Sequence, residues 1–237
     1  IYFHDPAPKT FTSILEWCKK KSYRFITLQE CYAILSGKIR QEGKVAYLSF
    51  DDGWQSNLNL IPIIDKYQAP ITIFVSIDPL LSGNFWWEYA LADGIELRNK
   101  MKLMSYKKFV SSLESLKKKY SLERSVLTEQ ELVKIASHPL VSIQSHTMSH
   151  PILTNCDDEI LSYELNSSKA YLENLLHHKI EAFSYPNGNF SNREIEAVKK
   201  AGYKMAFTTE YIPIQINHTN LYRIPRMAMN TYGGYYE

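Results

Sequence analysis

Cysteine is scarce in this chain of 237 residues: Cys18, Cys31 and Cys156 are three and widely spaced. That excludes a disulfide framework and a thiolate metal pair. Cys18 and Cys31 fall among apolar residues in expected helices and read as buried thiols. No apolar run is long enough to span a membrane. Nor does one sign of charge dominate, since 27 basic and 25 acidic residues leave a net charge of +2. A nucleic-acid footprint needs basic residues gathered on one face, so nucleic acid is not an expected partner. The richest basic stretch, Arg98 to Lys119, is interleaved with Leu103, Phe109, Leu113 and Leu116 at helical spacing and reads as a solvated helix face. Repeats, low-complexity tracts and Gly/Ser linkers are missing too. The sequence opens at Ile1 with no signal-peptide pattern. Free thiols and no visible signal lean toward the cytoplasm, with a removed leader left open, as is the oligomeric state.

What is present is a 45% hydrophobic, 22% charged composition, which argues for one folded domain over disorder. Short apolar strands alternate with helical patterns, as in βα units around a parallel sheet. Strands are expected at Ile1–Phe3, Val45–Phe50, Ile71–Val75, Leu140–Gln144, Glu181–Tyr185, Lys204–Thr208 and Tyr222–Ile224. Helices are expected over Phe11–Lys21, capped by Thr10 or Thr12, and over Leu28–Ser36, Leu58–Tyr67, Asp157–His178 and Asn192–Ala201. Residues 1–44 supply an N-terminal strand and two helices packed on the core. Residues 80–139 break the alternation after the second core strand: the aromatic loop Phe85-Trp86-Trp87 leads into three helical segments with no clear strand, leaning on the core beside them. The expected fold is α/β, a single-domain irregular, distorted or incomplete, (β/α) barrel over 1–237, with a doubly wound open sheet as the alternative.

The chemistry-bearing residues follow strands, and the C-terminal ends of parallel barrel strands share one face. Ser49-Phe50-Asp51-Asp52-Gly53-Trp54 leaves one strand with adjacent carboxylates, which cannot both ionise cheaply without a cation nearby. Ser145-His146-Thr147-Met148-Ser149-His150 places two imidazoles four apart, on one face of a helical turn. Two His and one Asp match a catalytic site of the zinc type, with one position left for water. Pro186-Asn187-Gly188 follows a third strand.

These motifs, Ser-Phe-Asp-Asp-Gly, His-Thr-Met-Ser-His and Tyr-Pro-Asn-Gly, in this order, resemble those of the polysaccharide deacetylases, carbohydrate esterases of the chitin-oligosaccharide-deacetylase homology type. The resemblance runs from about Val45 to Phe207. It implies Asp51 as base, Asp52, His146 and His150 as ligands of one divalent metal, and the backbone N–H of Asn187, after Tyr185-Pro186, as oxyanion support. Zinc is expected first, with cobalt, nickel or manganese as alternatives. The implied reaction is removal of acetyl groups, N-acetyl before O-acetyl, from an acetylated oligo- or polysaccharide. The chain departs from the pattern at Ser184, where an arginine is usual, at Asn187, where an aromatic is usual, and in lacking the late Asp-Trp and Leu-x-His motifs.

Two residues are expected to fill the gaps. Arg226, just past the last expected strand, is placed to hold Asp51 ionised, because a guanidinium stays charged and bonds a carboxylate bidentately. His4, after the first strand, is the candidate general acid, with His218 as the alternative. Trp54, Trp86, Trp87 and Tyr89 are candidates for packing on sugar rings. The competing readings are a sugar-binding relative without catalysis, and an amidohydrolase on a small non-sugar substrate.

Overall fold

Strands with apolar residues on both faces need cover on both sides, and helices supply it. The structure, a computed structural model, describes residues 1–214 and 219–229. It begins with β1 (Tyr2–Phe3), α1 (Pro8–Lys20), β2 (Tyr23–Ile26), α2 (Leu28–Leu35) and β3 (Lys44–Phe50). Then come α3 (Ile61–Tyr67) and β4 (Ile71–Val75). Five helices follow: α4 (Ile77–Ser82), α5 (Trp86–Asp93), α6 (Ile95–Met101), α7 (Tyr106–Lys119) and α8 (Glu129–Ala136). The alternation resumes with β5 (Val141–Ser145), α9 (Asp158–Leu176), β6 (Ala182–Ser184), α10 (Asn192–Lys200) and β7 (Met205–Phe207).

All strand pairs are parallel, in the order β1-β3-β4-β5-β6-β7. One edge of β3 is shared, with β1 beside Ser49 and Phe50 and β2 beside residues 44–47. The sheet curls into a distorted barrel. Residues 221–229 run between its two free edges and form main-chain bonds to both: Ile224 N–H to Ala206 O at 2.9 Å, and Tyr2 N–H to Met227 O at 2.9 Å. The expected last strand is therefore reduced to single bridges, Phe207 to Ile224 and Tyr2 to Ala228. That segment carries Arg226 into the barrel.

Alternate side chains sort into two layers. Outward residues such as Phe50, Ile73 and Phe183 pack with α1, α3, α9 and α10, while Phe74, Met205 and Phe207 pack inward with Leu28, Cys31 and Ile34 of α2. Phe3, Phe11 and Phe50 meet at ring separations of 5.1 to 5.4 Å. Each such pair contributes about 0.5–1.5 kcal/mol beyond its buried area.

Four expectations are corrected. Residues 1–44 hold a second strand, β2, which is short and only half buried. Helix α1 begins at Pro8 with Ala7 as its cap residue, because proline's fixed φ suits the first helical position. The insertion carries four helices after Phe85, not three. It also has a small apolar cluster of its own, built on Trp86, Tyr89, Met101, Phe109 and Leu116.

Candidate active site

Three strand ends deliver the polar residues to one rim. Asp51 and Asp52 follow β3, His146 and His150 follow β5, and Asn187 follows β6. With Trp54, Trp87 and His4 they line a cavity of about 660 Å³. The Asp-Asp-Gly turn works because Asp52 adopts φ 81° and Gly53 φ 93°. A Cβ on Gly53 would also stand 3.2 Å from Val75 Cγ1, so a side chain there is strained twice over.

The segment from His146 to His150 is not helical. Thr147 and His150 adopt φ 75° and 54°, which fold the chain back and bring the imidazoles to a centroid separation of 4.8 Å. Left-handed backbone costs a non-glycine residue about 1–3 kcal/mol and persists only where surroundings impose it. Here they do. Val75 O, Ser76 Oγ and the N–H groups of Ile77 and Asp78 bond the turn from one side. From the other side Glu164 of α9, fully buried, accepts from Met148 N–H, Ser149 N–H, Ser149 Oγ and Tyr106 Oη at 2.6 to 3.1 Å. Burial pushes the Glu164 carboxyl up, against these bonds.

Asp52 Oδ1 stands 3.5 Å from His146 Nε2 and 3.3 Å from His150 Nε2. All three prospective ligand atoms lie within 4.8 Å of one another. Ligands about 2.0–2.2 Å from a tetrahedral centre stand roughly 3.3–3.6 Å apart, and both carboxylate–imidazole distances fall in that range, as a divalent ion of the zinc type requires. His146 Nδ1 lies 2.7 Å from the Ser184 carbonyl, which as an acceptor fixes the proton on Nδ1 and leaves Nε2 its lone pair. Burial pushes the His150 imidazole down, toward its neutral, ligating form, although Asp52 pulls the other way. The Trp54 indole N–H donates to Asp52 Oδ2 at 3.1 Å, turning Oδ1 toward the histidines. Burial alone would raise the Asp52 carboxyl, but His146, His150 and the charge of His4 outweigh it and hold it well below the usual range.

Asp51 meets Arg226 bidentately, Nη1 to Oδ1 at 2.8 Å and Nη2 to Oδ2 at 2.7 Å. The other guanidinium donors go to Ser49 Oγ at 3.0 Å, Ser184 Oγ at 2.7 Å and Thr208 O at 3.1 Å. All five N–H groups thus have acceptors, which a buried charge requires. Phe74 and Phe207 line its other sides, 5.5 and 5.7 Å from ring centre to guanidinium carbon. Burial would raise the Asp51 carboxyl, yet Arg226 outweighs burial and lowers it.

The remaining expected residues divide. His4 is exposed at the cavity rim, its ring 5.6 Å from that of Tyr2. His218 lies outside the described residues. Asn187 lines the cavity in left-handed backbone, φ 56°. Tyr185 does not reach the cavity: its ring packs between Phe183 and Phe190 and its hydroxyl donates to Tyr222 O. Tyr89 is likewise core. Trp87 stacks on Phe85 at 4.4 Å and meets the His150 ring edge-on at 4.7 Å, while the Trp86 N–H donates to His150 O.

Sequence reasoning missed Glu164, although an acid on the apolar stripe Leu161-Leu165-Leu172 is a visible anomaly. At the start of the basic stretch, Arg98 and Lys102 are half-exposed and also line the cavity.

Residues 38–206 match the polysaccharide deacetylase family, well over half of the chain, and the chain belongs to that family. It is 25% identical over 203 residues to YxkH of Bacillus subtilis (strain 168), a protein named for the same family; the match covers 85% of this chain and 58% of that protein. It is 26% identical over 229 residues to the poly-beta-1,6-N-acetyl-D-glucosamine N-deacetylase of Staphylococcus aureus (strain N315), covering 96% of this chain and 68% of the relative. Its fold superposes on the Streptococcus pyogenes deacetylase PplD, solved in complex with acetate, with a TM-score of 0.70 at 23% identity, covering 95% of this chain and 82% of that one.

Proposed function

We propose that the protein is a metal-dependent hydrolase that removes N-acetyl groups from an acetylated saccharide. The observation that carries this reading is the Asp52, His146 and His150 trio, with the Asp51–Arg226 pair beside it on the same cavity floor. Asp52, His146 and His150 would hold one divalent ion, zinc before cobalt, nickel or manganese, supplying Lewis acidity toward the acetyl carbonyl and the attacking water. Asp51 takes the proton of that water, and Arg226 keeps its carboxylate ionised until then. The backbone N–H of Asn187 supports the developing oxyanion; a donor in that role is worth roughly 3–4 kcal/mol. His4, at the rim, returns a proton to the leaving amine, and Trp54 and Trp87 offer ring faces to the sugar. The S. aureus relative, named for a polymer of N-acetylglucosamine, favours a saccharide over a small amide. The test is acetate release from N-acetylglucosamine oligomers by protein stripped with chelator and then refilled with zinc or cobalt. Release restored by refilling supports the reading; equal release from stripped protein overturns it.

A further inference from the structure

The cavity that holds Asp51 and Asp52 is also lined by two cations. Arg98 and Lys102 lie four residues apart at the end of α6, and both line the cavity. Residues at that spacing share a helix face, where like charges repel. Neither has a carboxylate partner among the described residues. Arg98 donates only to the neutral Asn99 Oδ1, and Lys102 Nζ to the neutral Asn187 Oδ1 at 2.8 Å. The carboxylates that line the same cavity are engaged: Asp51 with Arg226, Asp52 with two imidazoles, and Asp5 with Ser56 Oγ. Burial, and then the Arg98 charge, lowers the Lys102 ammonium. Two repelling cations in a partly desolvated wall are a cost to the folded chain that an incoming anion would relieve.

We propose that Arg98 and Lys102 bind an anionic substituent of the saccharide, a carboxylate or a phosphate, on a sugar flanking the N-acetylated residue. This rests on the deacetylase reading and narrows it to acidic glycans. Arg98 supplies a planar fork that suits either oxyanion, while Lys102 adds a point charge already fixed over the cavity by Asn187. Because Asn187 also follows Pro186 at the end of β6, the anion site and the reacting acetyl group are tied to one turn.

The test uses the metal-loaded protein and three probes: an N-acetylglucosamine tetramer, the same tetramer oxidised to carboxylates at its primary alcohols, and the tetramer phosphorylated there. Calorimetry gives Kd for each, and acetate release gives kcat/KM. The expected result is at least tenfold tighter binding of one charged tetramer than of the neutral one, falling as salt is raised. Whichever charged form is preferred identifies the anion. In the Arg98→Gln/Lys102→Gln variant the ratio falls to about one, with circular dichroism and Tm reporting that the fold is retained. Equal binding of neutral and charged tetramers by the unaltered protein overturns the inference, as does a preference that survives in the variant. Release of acetate from no tetramer would count against the deacetylase reading alone, since the binding ratio is read without turnover.

Discussion

At the scale of single residues, Asp51 is held between opposing forces: burial disfavours its charge and Arg226 restores it. On the proposed mechanism, Asp51→Asn removes the proton acceptor and leaves Asp52, His146 and His150 in place. Activity on the best oligomer is expected to fall by about 10²–10⁴-fold, with metal content unchanged by elemental analysis. His146→Ala should do the reverse and abolish stoichiometric metal uptake after stripping and refilling. For Arg226→Met the sign is set by linkage. A carboxyl depressed in the folded state contributes stability above its unfolded pKa of about 3.9, and that contribution is lost as pH falls through the folded value. Without the guanidinium, burial prevails and the Asp51 carboxyl rises. The acid limb of the kcat/KM profile is therefore expected to move to higher pH, and urea unfolding to report a loss of about 3–5 kcal/mol for the broken buried pair. An acid limb that does not move would demote Arg226 to packing.

Among elements, α9 governs the histidine turn through Glu164. Its Oε2 accepts two backbone N–H groups, from Met148 and Ser149 at 2.8 and 2.9 Å. Glu164→Gln replaces one acceptor oxygen with an NH₂, which either meets those donors head-on or leaves Ser149 Oγ and Tyr106 without their acceptor. Partners that orient metal ligands typically matter 10–100-fold. Metal affinity, measured by competition with a chelator, is expected to weaken by about that factor while far-UV circular dichroism is unchanged. The β6 turn has a comparable constraint: a Cβ on Gly188, at φ 72°, would overlap Thr209 Oγ1 at 1.9 Å. The Tyr-Pro-Asn-Gly segment therefore owes its glycine to the neighbouring chain as well as to its own dihedral.

For the whole molecule, a site made from β3 and β5 ties elements far apart in sequence, so a ligand that binds only the folded chain stabilises all of it. Metal at a hundred times its Kd adds about 2.7 kcal/mol. For a domain of this size each kcal/mol raises Tm by roughly 2–4 °C, so stripping the metal is expected to lower Tm by roughly 5–10 °C in a thermal scan. The same treatment should leave the Tm of the His146→Ala protein unmoved.

The sequence by itself determined the strands from β3 to β7 and the helices α3, α9 and α10, because apolar runs and helical periodicity are local properties written at each position. It also brought Asp52, His146 and His150 to one rim, since residues that follow parallel strands have no other end to occupy. Only the tertiary structure decided the rest. β2 is four residues with one exposed arginine, too short to show periodicity, and exists because the N-terminal half of the β3 edge was open to pair. Barrel closure by residues 221–229 rests on main-chain bonds to Ala206 and Tyr2, and backbone bonding carries no side-chain signature. The left-handed turn at Thr147 and His150 is imposed by Glu164 and by the start of α4, against the local preference of both residues. Whether a cation in a basic stretch faces only solvent or also lines a cavity depends on where its helix lands. For Arg98 and Lys102, the fold of the insertion placed both in the cavity lining.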